Sequence, residues 1–510
     1  MNIIIFIVLT CVFENAYSAR ILASVPTASY SHQIVFRPIW KELAKRGHHI
    51  VLMTTDPMED TENITQIDMS FSYDLMKKEK YNEVVMKAKE NRLEFIEKFV
   101  KIFTKTSFEQ LRHPEVQKMI HNKSEHFDLI MVEIVFPLHL GLLERFAAPI
   151  IGLSSFEINN RFHEVLGNTA HPVINPDSTV VPFFHPLTLK ERIISSLVYF
   201  LSEIYGEFFL EAEFSSKMRE IFGEKCRSMI DLVGEIDMVF INSNPILHTV
   251  RALSPTTIQF GGGFHLEKET KSLPQDLKRY LDNATNGVIY FSLGTNIKSY
   301  LLKDSLKQIF LETFAELPYK VLWKFENENL PNKPDNIWIS KWFPQSDIFK
   351  HPNIKLFITQ CGLQSMEEAI LNHIPMVGIP FIVDQPANAM IMERKGLGLT
   401  LNYESLTKEI FKETIEEVIR NSEYKKNTLT IAELMNDVEM NGIEKVVWWT
   451  EYVIRNKGAK ILRNTSRHLP FYQCYLIDVI TVVALVVFSF VYISKKILFS
   501  FFNKVVVKTK

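Results

Sequence analysis

At 510 residues the chain is long enough to bury two sizeable cores, and with 46% hydrophobic and 23% charged residues its composition excludes widespread disorder. A net charge of −2 gives no bulk attraction for nucleic acid, so nothing in the overall charge suggests such a partner. The four cysteines, Cys11, Cys226, Cys361 and Cys474, are too few and too scattered for a disulfide framework or a zinc site.

In chain order, residues 3–13 are apolar and lead into Ala16-Tyr17-Ser18-Ala19, a small-residue cleavage pattern. Residues 1–19 therefore read as a secretory signal peptide, too short to span a bilayer. A strand over 21–25, a helix over about 32–46 stopped by Gly47, and a strand over 50–54 come next. Strands at 129–132 and 150–153 flank a helical stretch, and residues 189–214 are aromatic-rich and helical in pattern. After Ser254 a second set begins: strands at 288–293, 321–325, 337–339, 354–359 and 376–379, with helices at 303–317 and 365–371. Strands alternating with helices imply parallel sheets covered on both faces, hence an α/β chain of two facing Rossmann-like halves. We place the halves at 20–250 and 251–440, joined near residues 244–263, where Pro245, Pro255 and Gly261-Gly262-Gly263 interrupt the pattern. A helical segment and linker occupy 441–470.

Residues 475–493 are apolar apart from Asp478 and a few hydroxyls, and roughly match the length of one transmembrane helix. Lys495, Lys496, Lys504, Lys508 and Lys510 then make residues 494–510 a basic cytosolic tail. Together with the signal peptide this predicts a single-pass type I protein of the endoplasmic reticulum membrane, its bulk in the lumen. Sequons at Asn63, Asn122, Asn283 and Asn464 fit glycosylation in that compartment.

The chemistry concentrates between Trp342 and Gln385. A buried strand ends at Thr359, a tight turn uses Gly362, and a helix starts near Ser365, so unpaired N–H groups at the positive end of the helix dipole offer a phosphate site. The turn lies at the carboxyl edge of its sheet, where doubly wound folds bind ligands. Upstream stands Lys341-Trp342-Phe343-Pro344-Gln345, and downstream Pro380-Phe381-Ile382-Val383-Asp384-Gln385-Pro386-Ala387-Asn388-Ala389.

Together these segments resemble the signature of the UDP-glycosyltransferase family: W-x-P-Q, then H-[GC]-G-x-x-S-x-x-E-A, then P-x-x-x-D-Q-x-x-N-A. Residues 288–296 with Thr295, Trp448-Trp449-Thr450-Glu451, and Lys457-Gly458-Ala459-Lys460 extend the resemblance, which is closest to insect members of the membrane-bound animal branch. It implies a GT-B arrangement that binds a UDP-sugar as co-substrate, with no cofactor. In that reading Trp342 stacks on uracil, Gln345 bonds the base or ribose, and Glu368 accepts the ribose hydroxyls. Ser365, Gln360, Gly362 and Thr295 surround the diphosphate, while Asp384 and Gln385 meet the sugar hydroxyls. Taken singly, Trp342 also reads as core packing, Glu368 as a dipole partner and Asp384 as a turn residue. No D-x-D motif occurs, so no catalytic metal is expected. Gly396-Leu397-Gly398 lacks the third glycine of a nicotinamide site, and no P-loop or G-x-S-x-G elbow is present.

In the first half, the resemblance assigns the catalytic base to His32 in Ser31-His32, whose imidazole takes a proton from an acceptor hydroxyl. Direct displacement of UDP would invert the anomeric carbon. Such a base needs a carboxylate on its other nitrogen, and Glu133 stands where the family commonly has Asp. Asp128 falls at the opposite sheet edge, and His139 reads as an ordinary helix residue. The family's His at the phosphate turn is Gln360 here, which donates an N–H but carries no charge. Residues 193–209 line the acceptor site, rest on a membrane or pack in the core; the pattern leaves these open. The expected activity moves a hexose, glucose before glucuronate, to a small lipophilic acceptor, as in detoxification. The departures at Gln360 and Glu133 leave an alternative, an impaired relative that binds lipophilic ligands or a partner transferase. Homo- or hetero-oligomerisation stays open.

Overall fold

A computed structural model describes residues 18–508 except 178, 182, 267–271 and 466–468. Most of the expected signal peptide, residues 1–17, lies outside the described residues.

Two parallel sheets organise residues 20–463. The first runs β1 (Arg20–Val25), β2 (His49–Thr54), β3 (Ile64–Asp68), β4 (Leu129–Glu133), β5 (Ile150–Ser154), β6 (Met238–Ile241) and β7 (Thr257–Gln259), in spatial order 3-2-1-4-5-6-7. The second runs β8 (Val288–Ser292), β9 (Lys320–Lys324), β10 (Ile337–Ser340), β11 (Ile354–Thr359), β12 (Met376–Gly378) and β13 (Gly398–Thr400), in order 10-9-8-11-12-13. Every residue of β4, β5, β6 and β8 is buried. Such continuous apolar runs, rather than alternation, mark strands covered on both faces.

Several expectations shift by local chemistry. The helix expected over 32–46 is two helices, Tyr30–Ile34 and Arg37–Lys45, because Pro38 lacks an N–H and fits only a helix's first turn. The stretch after β4 is a 3₁₀ helix, Pro137–Glu144. Strands β3, β6, β7 and β13 add to those read from the sequence, and β7 lies beyond residue 250, so the first sheet extends into the expected linker. The helix Gly442–Arg455 returns to the first sheet: its Val446, Val447 and Val453 share one core with Ile21, Trp40 and Phe240. Gly442 is required there, since a Cβ would sit 2.3 Å from the Phe260 carbonyl oxygen.

Residues 464–510 form a separate unit, in which Ile477–Lys508 is one helix of 32 residues. Its Ile477–Phe501 stretch is long and apolar enough to cross a membrane, and the helix continues through Lys495 and Lys496 rather than ending at 493. All four sequon asparagines are exposed.

His139 is a core residue of the first half. It is fully buried, with Nδ1 2.7 Å from Ser24 Oγ and Nε2 3.1 Å from the Ser107 carbonyl oxygen. One nitrogen accepts and the other donates, so the neutral ring is satisfied and burial holds its pKa down at about 4. Below the ordinary value of 6.5 the unfolded chain takes up a proton that the native state refuses, so stability falls as pH drops from 6.5 towards 4. Burial also pushes His48, His163 and His248 down. We expect His139→Gln to shrink the stability lost between pH 7 and pH 5 by about 2 kcal/mol. Thermal midpoints at the two pH values measure this, and an unchanged difference would contradict the assignment.

Candidate active site

In both sheets the strand order reverses beside the first strand, between β1 and β4 and between β8 and β11. Loops leaving neighbouring strands part at such a point and open a crevice at the carboxyl edge. The residues singled out from the sequence emerge there. His32 follows β1, Glu133 ends β4, Thr295 follows β8, and Gln360 follows β11.

The register fixes the first pair. Ser24 lies opposite Val132, so Glu133 rises beside the end of β1. Its Oε1 is 2.5 Å from His32 Nδ1, and its Oε2 accepts the Thr27 N–H at 3.3 Å. Ser155, just after β5, places Oγ 2.9 Å from the same Nδ1, and Phe156 meets the ring edge-on at 5.5 Å. Glu133 is fully buried and the His32 side chain is 13% exposed. All the polar contacts fall on Nδ1, so Glu133 orients the ring while Nε2 makes none of them. Asp128 sits at the opposite edge, accepting the Arg20 N–H at 2.8 Å.

In the second half, the turn after β11 differs from the expected one. Cys361, with φ 66°, occupies the left-handed region, whereas Gly362 at φ −68° is the cap of the helix Leu363–Leu371. A non-glycine residue there carries about 1–3 kcal/mol of strain, which is why glycine is the easier choice at that position. A Cβ on Gly362 would stand 2.9 Å from Gln360 Nε2, and one on Gly294, itself at φ 71°, would stand 2.1 Å from the same atom. The Gln360 amide thus fills a slot between two glycines, and its Oε1 accepts the Thr359 hydroxyl at 3.2 Å. Cys361 is fully buried, and burial pushes its thiol up.

Gln345, Ser365 and Glu368 come together. Gln345 Nε2 donates to Glu368 Oε2 at 2.5 Å and to Ser365 Oγ at 3.1 Å. Trp342 remains 53% exposed, with the Tyr30 ring edge-on at 5.2 Å. Asp384 caps the helix Gln385–Arg394, and Asn388 donates to its Oδ2 at 2.7 Å. Burial pushes the Asp384 carboxyl up, while Asn388 and the nearby His32 oppose this. Gln385 is turned back: its Oε1 accepts the N–H groups of Phe381 and Ile382 at 2.9 and 3.1 Å. That carbonyl builds the turn in which Val383 is held at φ 53°, a strained value for a β-branched residue.

Several residues escaped sequence reasoning. Asn388 also donates to the Cys361 carbonyl at 3.0 Å, joining the two turns; its position four residues after Asp384 on one helix face was the available signal. Lys324 is 6% exposed and donates to the Gly294 carbonyl at 2.9 Å, while Lys298 donates to the Thr295 carbonyl at 2.7 Å. Burial and Lys324 together hold Lys298 down. A lysine closing an apolar strand was the clue to Lys324. Ser155 had no signal in the sequence.

The halves meet across these loops. Ser29 Oγ donates to Asn296 Oδ1 at 3.2 Å, and Gln364 Nε2 donates to the Ser155 carbonyl at 2.8 Å. Ala28, Phe103 and Phe136 of the first half pack in one core with Phe291, Phe325 and Phe381 of the second.

Two doubly wound units meeting at their carboxyl edges are the GT-B arrangement of sugar-nucleotide-dependent glycosyltransferases. The solved structure of Os79 from O. sativa in complex with U2F and trichothecene is similar in fold, with a TM-score of 0.56 at 15% identity over 85% of this chain and 100% of its own. In sequence, residues 20–510 match the model of the UDP-glucoronosyl and UDP-glucosyl transferase family. The ecdysteroid UDP-glucosyltransferase of Spodoptera littoralis nuclear polyhedrosis virus is 31% identical over 96% of this chain and 98% of its own. UDP-glucosyltransferase 2 of Dactylopius coccus is 30% identical over 97% and 96%. The chain therefore belongs to the UDP-glucuronosyl and UDP-glucosyl transferase family, and as an enzyme it transfers sugar from a UDP-sugar.

The slot at Gln360 generates a prediction. Gln360→His places a ring able to carry charge beside the helix N-terminus, where anions are favoured. We expect the KM for UDP-sugar to fall by up to about tenfold, the scale of one added charge-assisted hydrogen bond. Steady-state kinetics on the purified variant read this, and unchanged constants would sink the idea.

Proposed function

We propose that this enzyme moves a hexose, glucose before glucuronate, from UDP to a hydroxyl of a small lipophilic acceptor, with inversion and without a metal. The observation that carries the reading is the His32–Glu133 pair at 2.5 Å, buried on Glu133's side and engaged through Nδ1 alone. Nε2 takes the proton of the acceptor hydroxyl as its oxygen bonds to the anomeric carbon. The bond from that carbon to the diphosphate oxygen breaks, and UDP leaves with the electron pair. Glu133 stabilises the imidazolium formed. Trp342 stacks on the base, and Gln345 and Glu368 meet the base and ribose. Ser365, Gln360, Gly362 and Thr295 surround the diphosphate, and Asp384 with Gln385 faces the sugar. Glucose is favoured because both relatives named above are UDP-glucosyltransferases, and the viral one's ecdysteroid acceptor supports a lipophilic class. The alternative of an impaired binding protein finds no support in these relatives, and the Glu133 carboxylate reaches His32 despite its extra methylene.

Full-length enzyme incubated with UDP-glucose and a panel of phenols and sterols tests this. We expect a β-linked product from the α-linked donor, identified by NMR. His32→Ala should abolish turnover and Glu133→Gln should lower kcat about 10²–10⁴-fold, both with UDP binding retained. A retained anomer, or turnover surviving in His32→Ala, would refute the mechanism.

We further propose an endoplasmic reticulum membrane protein of type I topology, glycosylated at one or more of Asn63, Asn122, Asn283 and Asn464. The Ile477–Phe501 helix and the exposed sequons support it. So does the helix Leu189–Tyr205, where Leu189, Ile193, Leu197, Leu201 and Ile204 form an exposed apolar stripe suited to lying on a bilayer surface. In sealed microsomes, protease should spare the catalytic unit and endoglycosidase should shift its mass; digestion of the unit in intact vesicles would reverse the topology.

A further inference from the structure

The helix Leu363–Leu371 carries two consecutive glutamates that face different parts of the molecule. Glu368 meets Gln345 in the donor site. Glu367 is fully buried and turned towards the chain connecting the two sheets, where its Oε1 accepts the Gly262 N–H at 2.9 Å. That chain is pressed close: a Cβ on Gly261 would stand 2.6 Å from the Ser243 backbone, and one on Gly263 would stand 2.3 Å from Leu371. The glycine run therefore lets the connection lie directly on the donor-site helix.

Two residues further on, the His265 side chain is 1% exposed and stands between both glutamates. Its Nδ1 is 3.8 Å from Glu367 Oε2 and its Nε2 is 3.8 Å from Glu368 Oε1. Among the described residues, neither ring nitrogen has a hydrogen-bond partner, and neither does Glu367 Oε2. Buried polar groups are nearly always paired, and an orphan costs about 1–3 kcal/mol. The missing bonds are each short of contact by only about 0.8–1 Å. Glu368 is the carboxylate with room to move, since it borders the donor site and is 10% exposed.

We propose that His265 is a positioning residue for the UDP-sugar: with nucleotide bound, its Nε2 donates to Glu368 and holds that carboxylate against the ribose. Because His265 lies on the connection between the sheets, the same bond ties donor occupancy to the joint between the two halves. Glu367 is fully buried with Oε1 held by the Gly262 N–H, which makes it the fixed wall of the arrangement; burial pushes its carboxyl up, and His265, Gly262, Asn242 and Gly263 oppose this. The inference rests on the reading of Glu368 as the ribose ligand.

A double-mutant cycle on the full chain tests it, with UDP affinity measured by competition against labelled UDP-glucose, and KM measured for donor and acceptor separately. We expect His265→Phe to weaken UDP and raise the donor KM about 10–100-fold, the size of a hydrogen bond to a charged group, with kcat and the acceptor KM within about twofold. His265→Gln, which keeps an N–H donor, should recover most of the loss and stands in should the Phe variant fail to fold. Once Glu368 is Gln, removing His265 should add less than about twofold. Additive losses, or donor and acceptor KM rising together, would overturn the proposal and leave His265 a packing residue. A wild-type chain that binds no UDP would instead refute the donor-site reading itself.

Discussion

Everything in the site depends on where the order of parallel strands reverses. In each sheet the first strand has neighbours whose connections leave in opposite directions, so the loops above it part at the carboxyl edge. This reversal leaves the strands below it buried throughout. It also concentrates chemistry: a histidine, a carboxylate, two lysines and a helix N-terminus arrive within a few residues of strand ends. Because the two sheets meet through Ser29–Asn296 and Ser155–Gln364, the loop that carries His32 and the turn at Gln360 face one crevice. The function proposed above draws on residues of both halves.

The second constraint is how tightly the donor turns are specified. Cys361 and Val383 hold backbone conformations that ordinary side chains avoid, and each sits in a turn the proposed donor contacts. Such strain persists only when neighbours over-determine it. Here Asn388 joins both turns through Asp384 and the Cys361 carbonyl, and Gln385 caps the Val383 turn with its own amide oxygen. The D-Q-x-x-N spacing acquires a physical meaning from this. Asp384 and Asn388 stand one helical turn apart, so a single side chain locks two loops, and less of Gln385 is left for sugar than its place in the motif implies.

Much of this was legible in the sequence because it follows from patterns that need no partners. The runs that became β8 and β11 are continuous apolar stretches ended by Gly294 and by Gly362, and the whole α/β alternation follows from them. The resemblance to the family motifs named Trp342, Gln345, Ser365, Glu368 and Asp384, and of these the structure brings Gln345, Ser365 and Glu368 into direct contact. What stayed hidden depends on tertiary context. Strands β7 and β13 are three residues long, too short for a pattern to rise above turns. The helix break at Pro38 was readable, but Gly47 gave the stronger stop signal. Glu368 was named by the motif, but that Glu367 turns the other way, onto the Gly262 N–H, depends on the rotation of the helix and had no local sign. The return of Gly442–Arg455 to the first sheet is a packing outcome with no local sign beyond its apolar face.

The two departures from the family pattern turn out to be different in kind. Glu133 is one methylene longer than the usual Asp, yet β4 ends one residue past the register point shared with β1, and the longer side chain spans the remaining gap. Both its oxygens are used, one on His32 and one on the Thr27 N–H, so the longer side chain is held at both and not slack. Gln360 has no such compensation in its own side chain. Its amide is held in a slot between Gly294 and Gly362, and the nearby ammonium groups donate to loop carbonyls, Lys324 to Gly294 and Lys298 to Thr295, with Lys324 also paired to Glu326 at 2.9 Å. The proposed acid–base pair is therefore in direct contact, and under that proposal any loss relative to a histidine-bearing turn falls on the grip of the donor.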